Sequence, residues 1–579
     1  MNLKKLLSQA ASIFGVALVV GLIVWVAWQI ISPHFDGLRN RDNREIVSFH
    51  EHYDLDAAVP ILIFDGVRVT GEVMPAVHNG VPFIPMDFIR ESIDPFIMWD
   101  ASAQSLFVTT RNDMLAFRQG EVRTVDGGVL VPDHIVMGLY PFTVVHHEAY
   151  NVIVVTDDRV PQTTATVTGN APLRFRPDVA APMMVQLASG DTVTVLPANS
   201  GDGFSRVRTE EGLLGYVLTA SFGETLTRPV EVTRRPLMGG QFIQNFIAPS
   251  HPSVAPINMV WEWIGSYEAN AVSMEYYLPE SITVISPTWF HFNAVTRELD
   301  SFASAEYVQW AHAQGVQVWP SVTDLFAGRE GIRTILSSFS ARLNIIYQLE
   351  EYVQRLNIDG LTIHIEHLMD AEYGVYYIQF LRELNIVLGH QVVLLVAMLP
   401  NLTANAHYRH DLVAKTVDFI ALMTYNEYGG NAPTPGPVAS LPWVERQIYE
   451  ALRVVPANQL LMGLPFFNRV WRTGVADNLR RTPLDFDMER AYWEFYNRGV
   501  AFEWDEKIGA YYAEFAEVVD GETLRHQLWR ECSRSLGEKM ELFEFYNLAG
   551  IAGWNMSFTN EDVWELLDVH FPRFQRVLD

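Results

Sequence analysis

Asp359-Gly360-Leu361-Thr362-Ile363-His364-Ile365-Glu366 alternates without a break. Leu361, Ile363 and Ile365 fall on one side, and Thr362, His364 and Glu366 on the other. Side chains two apart on a strand share a face, so the three polar groups form a row that ends in a carboxylate. A polar row ending in Glu on an otherwise apolar strand suits the inward face of a barrel strand, at the end where such folds keep their chemistry. An edge strand with one wet face would read the same way, so the surrounding sequence has to decide.

From Asn258 onward the chain alternates apolar strand-like runs with helical stretches, the rhythm of a parallel barrel. Eight runs qualify as strands: INMVWEWI, ITVISPTWF, VQVWPSVTDL, DGLTIHIE, QVVLLVAML, DFIALMTYN, LLMGLPFFNRVW and IAGWNMSF. AEYVQWAHAQG and ARLNIIYQLEEYVQRLN are among the helical stretches between them. Eight strands in about 320 residues fit a TIM barrel with one insertion, expected over about residues 472–531. Glu366, the pair Tyr425-Asn426 and Trp554 each close a strand, at the end where barrel active sites lie.

Upstream the texture differs. Short alternating strands (PILIFDGVRV, VPFIPMDFI, SLFVTT) are separated by Asp-Gly and Asn-Gly turns, and a second β-rich stretch between Thr163 and Glu224 is broken by Gly190-Asp191, Gly201-Asp202-Gly203 and Gly212. At the N-terminus, Lys4 and Lys5 precede an apolar run from Ile13 to Ile31. At about 1.5 Å per residue the run reaches roughly 28 Å, enough to cross a bilayer core. Trp25 and Trp28 end it with no small-x-small cleavage site, which suits an uncleaved anchor.

The 579 residues carry a net charge of −27, which excludes nucleic acid as a partner, because that needs concentrated Lys and Arg. The one cysteine, Cys532, excludes an internal disulfide framework and any cysteine-based metal cluster. No strand end groups metal ligands, so neither a metal nor an organic cofactor is expected.

Residues 250–575 resemble glycoside hydrolase family 18, in the wall- and spore-associated bacterial branch. The fourth strand of that family reads D-G-x-D-x-D-x-E, often with Asn at the second acid in this branch, and is matched by Asp359 to Glu366. The sixth-strand M-x-Y-D is matched by Met423-Thr424-Tyr425-Asn426, and the last-strand Trp by Trp554. SPTWF, PGPVASLPWVE, GLPFFNRVW and WDEKIGAYYAEF are further matching stretches. Residues 55–158 resemble the stalk domain called copper amine oxidase N-terminal-like, which implies no copper. Residues 163–224 resemble a bacterial SH3-like domain, whose usual role is binding wall peptide or glycan.

The resemblance implies roles. Glu366 would be the acid that protonates the glycosidic oxygen. The substrate's own acetamido oxygen is the nucleophile in this family, which departs from the two-carboxylate scheme. Tyr425 would hydrogen-bond that carbonyl, and Trp554 would floor the sugar subsite. His364 takes the place of the Asp that orients the acetamido group and balances the oxazolinium, Thr362 that of an earlier acid, and Asn426 that of the acid after Tyr425. Catalytic roles therefore fall to Glu366, Tyr425 and His364, and substrate contacts to Trp554, Asn426, Thr362 and Asp359. A neutral imidazole supplies no negative charge. Losing one preorganised contact of this kind costs about 10²–10³ in rate.

The expected architecture is α/β: a (β/α)8 barrel over residues 250–579 with an α+β insertion, preceded by two small β-rich domains. A linker over residues 36–54 and a transmembrane anchor with a cytoplasmic stub over residues 1–35 come before them. The expected function is hydrolysis of N-acetylhexosamine glycans, peptidoglycan or chitin-like, by a single-pass membrane protein whose bulk is extracellular and contacts the cell wall. The alternative is a glycan-binding wall protein with weakened or no catalysis.

Overall fold

The computed structural model describes residues 43–110, 113–197, 203–228, 236–245, 256–276, 278–368 and 371–571. The apolar run Ile13–Ile31 lies outside them. Among the described residues no helix is long and apolar enough to cross a membrane. The described residues form two compact units: one takes those up to Ile97 and those within Phe117–Gly240, the other those within Met98–Ala116 and from Gln241 onward.

The first unit is built from sheets. Ile61–Phe64 pairs in parallel with Val152–Asp157, which pairs antiparallel with Phe142–His147. Seven antiparallel strands between Gln162 and Arg228 make a larger sheet, ordered from Met183–Leu187 through Ala171–Arg174 to Phe222–Arg228. Alternate residues of both sheets meet in one apolar core, Ile61, Ile63, Val152 and Val154 against Ala165, Leu173, Val207 and Val217. The buried Arg174 guanidinium lies at the edge of this core and donates to the carbonyl oxygens of Asn43 (2.7 Å) and Ala181.

The second unit is a closed parallel barrel. Its strands run in chain order Ile257–Glu262, Val284–Pro287, Gln317–Val318, Gly360–His364, Val393–Met398, Phe419–Leu422, Leu460–Pro465 and Gly550–Trp554. The last pairs with both the seventh and the first, which closes the ring. The second and third strands each resume after a break, as Phe290–Asn293 and Ser321–Thr323, which pair with each other. The breaks fall at Pro287 and Pro320, which have no backbone N–H to give to a ladder. Gly360 opens the fourth strand because the Trp319 indole lies 2.6 Å from where a Cβ would stand.

The helices outside the ring start at capping side chains: Ser304 on the Tyr307 N–H, Ser338 on Ala341 and Asn560 on Val563. Helix Phe339–Leu356 buries Phe339, Arg342, Ile345, Ile346, Leu349 and Val353 at helical spacing and ends at Asn357 with φ +57°. Arg342 belongs on that buried face because Glu383, on helix Ala371–Leu388, meets it with two hydrogen bonds of 2.8 Å. Met98–Ala116 completes the cover. Phe107 stacks on Phe339, Asp100 accepts from the Phe339 N–H at 3.2 Å, and the Arg342 guanidinium meets the Met98 sulfur at 3.0 Å. Between the seventh and eighth strands, a five-stranded sheet runs from Phe467–Gly474 to Glu522–Arg530 around helix Met488–Tyr496. Cys532 is buried at the start of the next helix, Ser533–Phe545.

Candidate active site

The row read from the fourth strand splits into two levels. Thr362 is fully buried inside the ring. It donates to the Trp319 carbonyl (3.2 Å) and accepts from the Ser286 hydroxyl (3.1 Å), which lies 3.0 Å from the Ser321 hydroxyl. Three neighbouring strands thus contribute a layer of neutral hydroxyls whose needs are met among themselves and by backbone.

Above that layer, His364 Nε2 lies 2.6 Å from Glu366 Oε1. The Glu366 side chain is 47 % exposed at the barrel mouth and the imidazole 11 %. The hydrogen bond from His364, helped by the charges of His364 and His367, outweighs burial and holds the Glu366 carboxyl below the usual carboxylate range. Glu366 is therefore ionised at neutral pH. A second carboxylate in the place of His364 would push it the other way.

Tyr425 follows the sixth strand and is buried. Burial, and then the charge of Glu366, hold its hydroxyl far above the usual phenol range, so it stays a hydrogen-bond donor. Its ring meets Phe467 edge-on at 6.2 Å. Trp261, fully buried on the first strand, sits between His364 and Trp554, with ring centroids 6.3 and 6.1 Å away. Asn426, at φ +63°, accepts from Arg469 Nη1 at 3.0 Å. Both carboxylate oxygens of Asp485 hold that guanidinium at 2.7 Å.

The fold thus gathers His364, Glu366, Tyr425 and Trp554 above Thr362, with Asn426 alongside on the arginine of the inserted sheet. Asp359 is not part of the group. It stands at the entry of the fourth strand, where its carboxylate takes the Val318 N–H (2.8 Å) and pairs with His312 (2.7 Å). Sequence reasoning missed Asp324. That buried carboxylate, just past the third strand, accepts the N–H of Glu366 at 3.1 Å and of His367 at 2.9 Å, fixing the peptide that carries the acid. The rule that found Glu366, an acid at the carboxyl end of a barrel strand, points to Asp324 as well. Trp261 left no comparable signal, because an inward Trp on an apolar strand reads as core.

Residues 273–558 match the profile of Glycosyl hydrolases family 18. The chain carries a family 18 glycosyl hydrolase domain. This domain is 26 % identical over 247 residues to the Cortical fragment-lytic enzyme of Bacillus subtilis (strain 168), covering 41 % of this chain and 56 % of that protein. The match spans little more than half of that relative's length. To the Uncharacterized glycosylase YvbX of the same organism the identity is 21 % over 327 residues, covering 52 % of this chain and 92 % of that one. The spore cortex-lytic enzyme SleL of Bacillus megaterium QM B1551 superposes with a TM-score of 0.48 at 19 % identity, over 60 % of this chain and 81 % of that chain. The family 18 resemblance read from the fourth, sixth and last strands is borne out. The stalk-like and SH3-like resemblances of the first unit concern residues outside the family match.

Proposed function

We propose that the family 18 domain is a retaining glycoside hydrolase acting on N-acetylhexosamine glycans, with peptidoglycan, including its spore-cortex form, preferred to chitin. The observation that carries this reading is Glu366 at the carboxyl end of the fourth strand, fixed through its backbone by Asp324 and close enough to Tyr425 for its charge to act on that hydroxyl. Protonated Glu366 gives its proton to the glycosidic oxygen as the C1–O bond breaks, and the acetamido carbonyl oxygen closes on C1 to give an oxazolinium. The carboxylate then takes a proton from the water that opens the ring at C1, restoring the acetamido group and the original configuration. Tyr425 orients the acetamido carbonyl. The Trp554 ring forms the apolar side of the subsite, with the buried Trp261 ring behind it.

A second reading, glycan binding without cleavage, is favoured by one observation: the His364 hydrogen bond keeps Glu366 ionised. Incubating the full chain with peptidoglycan and chitin oligosaccharides and weighing the products separates the two. Hydrolysis adds one water per broken bond. Oligosaccharides that bind and stay intact would leave the second reading in place. Stacking of a planar group on an aromatic platform contributes about 1–3 kcal/mol, so Trp554→Ala is expected to weaken oligosaccharide binding about tenfold in a folded barrel. Unchanged affinity in titration calorimetry would remove the sugar subsite from this position.

The apolar run Ile13–Ile31 supports a single-pass membrane anchor with the bulk of the chain outside the cell. The protein is then expected in the membrane fraction with its N-terminus uncut, and a mature N-terminus beyond residue 31 would refute the anchor. The stalk-like residues 55–158 and SH3-like residues 163–224 would hold the hydrolase at the wall, the latter by contacts to wall peptide or glycan.

A further inference from the structure

If the barrel hydrolyses N-acetylhexosamine glycans as proposed above, something must balance the positive oxazolinium. Glu366 does so only once its proton has gone to the leaving oxygen. That carboxylate also holds the His364 hydrogen bond and must next take a proton from water. Asp324 is turned to the N–H groups of Glu366 and His367 and meets the His367 ring at 3.2 Å, and Asp485 spends both oxygens on Arg469. Ser286, Ser321, Thr362 and Asn426 are neutral. Tyr425 stays a neutral hydroxyl, and His364, His367 and Arg469 carry no negative charge. His364 Nδ1 has no hydrogen-bond partner among the described residues, while Nε2 is taken by Glu366.

We infer that a second, standing anion arrives with the substrate: the sugar beside Glu366 is an N-acetylhexosamine bearing a free carboxylate on an O3 ether, as in N-acetylmuramic acid. O3 sits on the carbon next to the one that carries the acetamido group, so a lactyl carboxylate there reaches both the oxazolinium and Nδ1 of His364. A charge-assisted hydrogen bond from Nδ1–H to that carboxylate would hold it in place. His364 is thus the residue that sets specificity, replacing an enzyme carboxylate by a receptor for a substrate carboxylate. The carboxylate must be free. A stem peptide joined to it as an amide, or its closure to a lactam, removes the charge at that atom. The reaction that supplies this substrate is therefore hydrolysis of the lactyl–peptide amide.

The test gives the full chain three glycans: peptide-free strands with free lactyl carboxylates, the same strands with those carboxylates reduced to alcohols, and oligosaccharides of N-acetylglucosamine alone. The expected result is cleavage of the first about 10²-fold faster than of the other two, the size of one preorganised electrostatic contact, with N-acetylmuramic acid at the new reducing ends. His364→Asp is expected to invert the preference, gaining on the N-acetylglucosamine oligosaccharides and losing on the carboxylate strands. His364→Asn is expected to lose the preference without inverting it. Equal rates on carboxylate and reduced strands, or N-acetylglucosamine at the new ends, would overturn the inference and leave the hydrolase standing. If His364→Asp cuts N-acetylglucosamine oligosaccharides while the wild type cuts none of the three, the inference falls and the barrel is a hydrolase lacking its anion. If neither protein cuts anything, both readings fall together.

Discussion

Glu366→Gln is expected to remove turnover on every glycan, a loss of at least about 10², because an amide has no proton to give the leaving oxygen. His364→Asp is expected to act in the opposite sense on oligosaccharides of N-acetylglucosamine, raising turnover by about 10²–10³ through the restored negative charge beside the oxazolinium. The pH profile separates this from a folding effect. His364 holds the Glu366 carboxyl below the usual carboxylate range, and the acid works only when protonated. Wild-type turnover must therefore fall as pH rises through that depressed value, leaving little at neutral pH. An aspartate at 364 repels a second negative charge and raises the Glu366 pKa, so the falling limb moves to higher pH. A limb that stays put in His364→Asp would show that the imidazole does not govern the acid.

The second large effect is on stability. Arg342 and Glu383 are fully buried and hold each other with two hydrogen bonds of 2.8 Å. Glu383 Oε1 also accepts from Gln379, and Arg342 Nη1 donates to the Leu336 carbonyl. Glu383→Ala leaves the guanidinium buried without its counter-charge, and the expected loss is about 3–5 kcal/mol. Replacing both partners with apolar residues of similar volume, Arg342→Met with Glu383→Leu, should recover most of it. Denaturant unfolding followed by tryptophan fluorescence measures both. A Glu383→Ala protein that unfolds with the wild type would mean that water reaches this pair. Removing Met98–Ala116 should destabilise the same spot, because Phe107, Asp100 and Met98 cover it.

That cover also marks where sequence reading stops. The eight strands are readable because each is an apolar or alternating run of the right length, and the order of strand and helix then fixes a parallel ring. Thr362, His364 and Glu366 are readable as a row because period two is a local property. Which distant surface a segment packs against is not local. Nothing in SLFVTT tells that Phe107 will lie on a helix that starts more than two hundred residues later. Asp324 escaped for the same reason, since its partners are backbone N–H groups 42 and 43 residues further on. Asp359 sits in the motif that named the row, yet its side chain serves the strand's entry, because the strand carries it to the opposite end of the barrel.

The hydroxyl layer of Ser286, Ser321 and Thr362 bears on how such a barrel could change over generations. A carboxylate put at position 362 would enter a fully buried site whose neighbours already satisfy one another, so its charge would be desolvated with nothing to offset it. Position 364 opens towards solvent and can accept a charge in one substitution. Any lineage regaining the full acidic row would pass through 364 first, and position 362 would have to wait until Ser286 or Ser321 had changed.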